Sequence, residues 1–282
     1  LGFAVAPRLN ASGRMSDASL GVELFLCRDP NRADEIIARL NKLNELRQQD
    51  EANILNDAIR RLEPCDLSDT RAIVLRSETW NAGVIGIAAS RIAEMYHRPT
   101  ILFSESDGIL KGSARSIDGV NIHEVLCCCR EFFVRFGGHA KAAGITMESA
   151  FFEDFRFKLN ACLKAGYDDS VFIPCKRYEF DIPLEQVTGE LIAELTRLAP
   201  FGESNPSPVF RSRHVAVSRL RRFGSDAQHT KMDVSPSISS SAPPLDAVWF
   251  ASAASYYRLL NADTVDMLYT PGINNWNGFD SI

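Results

Sequence analysis

The sequence predicts an α/β domain with a mixed sheet, preceded by a long connecting helix and followed by a small OB-like β-barrel. Three observations predict that order. Between Asp29 and Leu62, Ile36, Ile37, Leu40 and Leu43, then Ile54, Leu55, Ala58, Ile59 and Leu62, recur at three- and four-residue spacing, the period of a helix with one buried face. From about residue 66 to 168, short apolar runs alternate with helical ones, the rhythm of an α/β sheet. Beyond Tyr167-Asp-Asp-Ser170 the runs shorten and turn residues separate them, as in a small barrel.

Taken in order, residues 1 to 15 read as a loop-rich tail, since Gly and Asn mark tight turns. Asp29 followed by Pro30 is a cap and first-turn signal for one long helix or two in succession, and Pro64 ends it. Strands are expected at Ala72–Leu75, Thr100–Phe103, Gly112–Arg115 and Ala143–Met147. Helices are expected at Gly83–Tyr96, from the Asn121 cap to about Arg135, and at Ser149–Lys164. The barrel strands are expected at Tyr178–Ile182, Val209–Phe210, Val215–Leu220 and Ala247–Phe250, with a helix at Glu185–Leu198. Ser235 to Pro244 reads as a flexible hairpin loop, and the stretch after Asn261 stays ambiguous.

At 282 residues the chain has room for two domains, and 45% hydrophobic with 24% charged residues is ordinary for a folded soluble protein. No apolar stretch approaches the roughly 20 residues that span a bilayer. The opening Leu-Gly-Phe-Ala-Val-Ala-Pro-Arg has neither a basic n-region nor a cleavage site, so no secretory signal is expected, and the absence of Met at position 1 suggests a fragment. The cysteines number seven, an odd count without a CxxC pair, which fits free thiols in a reducing cytoplasm. Cys127, Cys128 and Cys129 fall in an apolar helical context and are expected to be buried packing residues. A formal net charge of −5 excludes a surface that is basic throughout, but not a basic channel.

Three segments carry candidate chemistry. In Phe136-Gly-Gly-His-Ala-Lys-Ala-Ala-Gly144, Gly137 and Gly138 let backbone approach an anion while His139 and Lys141 add a hydrogen bond and a charge. The plainer reading is a helix-ending glycine followed by a satisfied histidine. In Lys111-Gly-Ser-Ala-Arg-Ser116, strand alternation puts Ser113 and Arg115 on one face, where a guanidinium fork and hydroxyls suit phosphate oxygens. An ordinary solvated edge-strand arginine is the alternative. Trp80-Asn-Ala-Gly-Val-Ile-Gly-Ile87 sets an aromatic and two glycines at a strand-to-helix turn, with free amides at the helix start, although the glycines also suit close helix packing.

Together these segments resemble the DHH-associated domain of RecJ exonucleases, in wording and in spacing. Pro7-Arg-Leu-Asn-Ala-Ser-Gly-Arg14 resembles the segment that closes the family's catalytic DHH domain. Leu198-Ala-Pro-Phe-Gly-Glu-Ser-Asn-Pro-Ser-Pro-Val-Phe210 resembles the entry to its OB domain, and the likeness weakens after about residue 232. The resemblance divides the chain into the end of the DHH catalytic domain (1–28), a connecting helix (29–65), the DHH-associated nucleic-acid-binding domain (66–168) and an OB-like domain for single-stranded DNA (169–282). It implies a cytoplasmic 5′ to 3′ exonuclease on single-stranded DNA in recombination and repair, with Mn²⁺ or Mg²⁺ held by aspartates and histidines of the DHH domain. This sequence contains no Asp-His-His triplet, so no metal ligands are expected in it, and the chain alone is expected not to cleave DNA.

Carried over residue by residue, the resemblance implies that His139 and Arg115, with Ser113, hold phosphates near the scissile bond. Asn10 and Arg14 would touch the strand from the catalytic side, and Trp80, Asn81, Lys111, Ser116, Gly137, Gly138 and Lys141 would complete the DNA-binding set. Asn81 stands where the family usually has His, which puts any proton role there in doubt. In the barrel, Arg211, Arg213, Arg219, Arg221, Arg222, His229 and Lys231 form a basic run against Asp226 alone, with Phe210 and Phe223 as base-stacking candidates. The resemblance further implies a single-strand-binding protein and a RecQ-type helicase as partners, and no membrane. Two other classes stay open: a nucleotide or short-oligonucleotide phosphodiesterase module of the DHH superfamily, and an interaction scaffold without chemistry of its own.

Overall fold

Pro7 lies in the first turn of a helix, where a missing amide costs nothing, and the expected N-terminal loop is instead helix α1 (Ala6–Met15). Its sequence has little apolar period; what fixes it is tertiary, because Leu9 packs on the Ile36–Leu40 cluster and the Arg8 guanidinium donates to Asn41 at 2.7 Å. Helix α2 (Ser19–Leu26) follows, then α3 (Pro30–Leu62), a single helix of 33 residues and roughly 50 Å. The Asp29 carboxylate accepts from the Asn31 amide at 3.0 Å and caps α3, as the Asp-Pro signal requires. Ile36 and Leu40 serve the first half of α3, packing against α1 and α2, while Ile54, Ala58 and Leu62 pack in the cluster of the sheet domain.

The computed structural model describes residues 2, 4–202, 204–224, 226–276 and 279–282. They fall into two units, Leu1–Pro174 and Cys175–Ile282. Among them, no helix is long and apolar enough to cross a membrane.

In the first unit, β1 (Ile73–Ser77), α4 (Ile85–Tyr96), β2 (Thr100–Ser106), β3 (Ile109–Arg115), α5 (Ile122–Cys127), β4 (Phe133–His139), β5 (Ala142–Glu148) and α6 (Phe152–Gly166) follow α3. The sheet order is β1-β2-β3-β5-β4, with β1 and β2 parallel across the α4 crossover and the other pairs antiparallel. It is therefore the mixed sheet expected. Alternation assigns the faces: Ile73 and Leu102 meet α3 and α4, whereas Val74, Ile101, Phe103, Leu110 and Ala114 join the core that includes Phe155, Leu159 and Leu163 of α6.

The helix expected to reach Arg135 stops at Cys127, and after a 3-10 turn at Arg130–Phe132 the chain becomes β4. Its apolar spacing is compatible with either state over so short a run, and the partner strand β5 decides. That boundary also corrects the thiols: Cys129 is buried and its pKa is pushed up to about 12 by desolvation, but Cys127 and Cys128 are exposed.

The second unit begins with β6 (Phe180–Asp181) and α7 (Gly189–Thr196), the latter shorter than expected and capped by the Thr188 hydroxyl. The two expected strands at 209 and 215 are one 14-residue strand, β7 (Phe210–Phe223). Strands β8 (His229–Ser235) and β9 (Leu245–Trp249), helix α8 (Tyr256–Leu260), β10 (Thr264–Tyr269) and the small pair β11 (Asn274–Trp276) and β12 (Phe279–Ser281) complete it. The main sheet runs β10-β7-β8-β9, with β6 parallel to the start of β7, a partly open arrangement of the OB class. Val215, Met232, Val234 and Leu184 form its core. Phe210, expected to stack bases, is 5% exposed and belongs inside.

Candidate nucleic-acid interface

Pairing register shows which side chains of the first unit share a surface. Residues directly opposite one another in a ladder point to the same side. Arg115 pairs with Ala142 and Ala142 with His139; Ser113 pairs with Gly144 and Gly144 with Gly137; Lys111 pairs with Thr146 and Thr146 with Arg135. Three parallel rows therefore cross β3, β5 and β4 on one face. Arg115 and His139 stand at opposite ends of one row, roughly 10 Å apart by strand spacing, above a row containing two glycines. No atom lies within 4 Å of where a Cβ would stand on Gly137 or Gly144, so the middle row is an open trough. A cavity of about 530 Å³ occupies this end of the face, lined by Lys111, Arg135, Gly137, Gly144 and Thr146 together with Ala82 and Ile85.

The Arg115 guanidinium is half-buried and aimed by two hydrogen bonds, donating from Nη1 to the Ser113 hydroxyl and to the Ala114 carbonyl, each at 2.8 Å. Helix α4 presses on it through Gly86, where a Cβ would stand 2.6 Å from Nη2 and 2.8 Å from Ser113 Oγ. Burial, and then the neighbouring Arg14 cation, pull the Arg115 pKa below its ordinary value. The two guanidiniums leave local positive potential in a chain that is acidic overall.

The remaining expected residues divide into those that reach this face and those that do not. Arg14 reaches its vicinity, donating to the Gly83 carbonyl at 3.2 Å, and Asn10 is exposed on the same helix α1. Gly138 points to the opposite face and serves the hairpin: a Cβ there would meet the Ala142 carbonyl at 2.3 Å. Lys141 sits at the hairpin tip, bound to the Asp118 carboxylate, and the Ser116 hydroxyl donates to the Val120 carbonyl at 2.7 Å. Asn81 caps the turn into α4, accepting from the Gly83 amide at 2.9 Å and donating to Asp50 at 3.2 Å. Trp80 needs correction as a DNA contact: it is 4% exposed, its indole N–H donates to Asp57 at 3.1 Å, and its ring packs in the core beside α3 and α4. Arg135 and Thr146 carry no local signal: a helical reading of 121–135 hides the strand that holds Arg135, and Thr146, inside the expected strand 143–147, aligns with Lys111 only through the β3-β5-β4 register.

In the second unit the basic run is largely neutralised by carboxylates from other segments. Asp181 accepts from Arg211 at 2.6 and 2.9 Å and from Arg213 at 3.1 Å, and these partners hold its pKa down to about 2. Asp233 pairs with Arg219, and Asp246 with Lys231. Arg222 lies over the rings of Tyr256 and Tyr257, at 4.2 and 5.2 Å from their centroids, and Arg221 is exposed. Phe223, His229 and the exposed Phe250 form one aromatic cluster at that end of β7.

A mixed sheet with this glycine-floored basic face, joined to an OB-class unit, defines a protein of the DHHA1-plus-OB class. The family model for the DHHA1 domain matches residues 69–165, and that for the RecJ OB domain matches residues 178–282. The single-stranded-DNA-specific exonuclease RecJ of Bacillus subtilis is 35% identical over 98% of this chain and 35% of its own length. Crystal structures of RecJ from Thermus thermophilus with Mn²⁺ and with Mg²⁺ each superpose with a TM-score of 0.79 at 29% identity, covering 99% of this chain and 39% and 41% of theirs. The chain belongs to the RecJ family, and it spans between about a third and two fifths of the length of these relatives. Among the described residues no three His, Cys, Asp or Glu side chains come together as metal ligands.

Proposed function

We propose that this chain is the strand-holding part of a single-stranded-DNA-specific 5′ to 3′ exonuclease of recombination and repair. The observation that carries the reading is the shared face of Arg115, Ser113 and His139 over the Gly137–Gly144 trough. A guanidinium fork, a hydroxyl and an imidazole receive phosphate oxygens, while a floor without side chains admits sugar and base. Such contacts read the backbone and not the sequence.

In this reading residues 1–28 close a DHH catalytic domain, 29–65 connect the lobes, 66–168 grip the strand near the scissile bond and 169–282 bind single-stranded DNA as the OB-like domain. Arg14 and Asn10 contribute from α1, with Lys111 beside the trough and Gly137 in its floor. In the OB unit Arg221, Arg222, Phe223 and Phe250 form the most available stacking surface, while Arg211 and Arg213 engage DNA only by exchanging Asp181 for phosphate. Mn²⁺ or Mg²⁺ belongs to the DHH domain, and this chain alone binds DNA without cutting it. Cytoplasmic location and contact with a single-strand-binding protein and a RecQ-type helicase complete the proposal.

Titrating the chain with a fluorescent dT oligonucleotide at rising salt examines it directly. Affinity is expected to fall steeply with salt and to favour single strand over duplex. Salt-independent binding, or equal affinity for duplex, overturns the reading. Nucleotide release by this chain alone in Mn²⁺ overturns its assignment as a non-cleaving part.

A further inference from the structure

Most cations of the first unit stand against carboxylates: Arg32, Arg47, Arg61, Arg71, Lys158 and Lys164 all do. Lys111 and Arg135 do not. Both are exposed, and neither has an ion-pair or hydrogen-bond partner among the described residues. They nonetheless occupy opposite ends of one row, with the Thr146 hydroxyl between them, and all three line the cavity beside the glycine trough. Glu148 follows on β5, one row further.

We propose that Lys111, Thr146 and Arg135 form a second phosphate subsite, which receives the internucleotide phosphate next to the one held by Arg115, Ser113 and His139. The proposal rests on the function argued above and extends it from one phosphate to two. Same-face residues along a strand repeat every two positions, about 6.6 Å, so the Lys111 row lies one step from Ser113 and two steps, about 13 Å, from Arg115 and His139. Because the Arg115 guanidinium is turned onto Ser113, a phosphate held at Ser113 and one held at the Lys111 row stand about one phosphate spacing of an extended single strand apart. Lys111 and Arg135 are about 10 Å apart across three strands, so their long side chains converge on one anion above Thr146 and not on each other. Between the two cationic rows lies the row of Gly144 and Gly137, where the intervening sugar and base meet backbone only. The strand would thus run parallel to β3, β5 and β4, with one phosphate at Ser113 and the next over the Lys111 row, and with the turn into α4 as its wall through Ala82 and Ile85.

The experiment uses the 282-residue chain and compares 5′-phosphorylated thymidine, pdT, with the dinucleotide pdTpdT as competitors of a labelled dT oligonucleotide. The wild-type chain is expected to prefer pdTpdT. In Arg135→Ala that preference should fall about five- to tenfold, equivalent to about 1–1.4 kcal/mol. For the longer oligonucleotide, the salt slope should drop by about 0.7, the share of one phosphate on a single strand, while Arg135→Lys keeps it. Lys111→Ala should behave as Arg135→Ala does, and both positions are exposed, so both variants should fold as wild type by circular dichroism. An unchanged pdTpdT preference and salt slope in both alanine variants overturns the second subsite. If Arg115→Ala still weakens binding in that case, the proposed function survives alone. A chain that shows no salt-sensitive binding to single strands overturns both.

Discussion

Gly86 Cα and the Arg115 guanidinium are in direct apposition: a Cβ on Gly86 would stand 2.6 Å from Arg115 Nη2. The glycine is therefore part of how the cation is aimed, because helix α4 can lie against the end of β3 only where it carries no side chain. Gly86→Ala would raise helix propensity by up to about 1 kcal/mol and displace the flexible tip of Arg115 and the Ser113 hydroxyl, both of which a Cβ would meet at less than 3.0 Å. The fold should hold, with a thermal midpoint within a few degrees of wild type. Binding to dT oligonucleotides should nevertheless weaken several-fold, toward the level of Arg115→Ala. Equal binding by anisotropy would show that the guanidinium does not need its present direction.

Trp80 separates stability from binding in the opposite sense. Its ring fills the core beside α3 and α4, and its N–H donates to Asp57, which also holds Arg60 and Arg61. Trp80→Phe keeps an aromatic ring and removes that hydrogen bond, at a cost of about 1–2 kcal/mol. The thermal midpoint should drop by several degrees, while affinity for single-stranded DNA stays within twofold. A selective loss of affinity would restore this residue to the interface.

What could be read from the sequence follows from the range of the interactions involved. The long helix was legible because its cap, apolar period and terminating proline are all local signals. Ser113 and Arg115 were legible as a pair because alternation needs only one strand. The facing of Arg115 and His139 was suggested by motif resemblance, but its geometry depends on β5 lying between β3 and β4, a register no local pattern reveals. Arg135 and Thr146 were lost for the same reason. The barrel's basic run misled because charge was counted along the chain, whereas Asp181, Asp233 and Asp246 arrive from other segments to meet Arg211, Arg219 and Lys231. Trp80 misled because an aromatic beside glycines looks the same in sequence whether it faces solvent or core.

The Asp181 carboxylate gives the second unit a pH signature. Hydrogen bonds from Arg211, with Arg213 beside it, lower its pKa from 3.8 to about 2 in the folded chain. A carboxyl group whose pKa is lower when folded stabilises the fold above its ordinary value and loses that contribution as pH falls toward the folded value. Urea midpoints of wild type and Asp181→Asn should therefore differ at pH 7 and converge as pH drops below about 4. A gap that persists unchanged to pH 3 would mean that Asp181 acts by packing and not by charge. At neutral pH the same substitution releases Arg211 and Arg213, so the salt slope for dT binding should steepen.

Arg115 contributes direction as well as charge. Its Nη1 is spent on Ser113 Oγ and the Ala114 carbonyl, which fixes the plane of the guanidinium and leaves its other edge for a ligand. A lysine at 115 would keep the positive charge, but its three donors radiate from one nitrogen and offer no planar fork to hold Ser113 and the Ala114 carbonyl on one edge and phosphate oxygens on the other. Arg115→Lys should therefore retain the wild-type salt slope, since the phosphate is still neutralised, yet lose about tenfold in affinity, or about 1.4 kcal/mol. Arg115→Ala should lose both, with a slope shallower by about 0.7. The two quantities come from one salt titration of each variant. If Arg115→Lys matches wild type in affinity as well as slope, the Ser113 hydrogen bond is incidental and the first phosphate is held by charge alone.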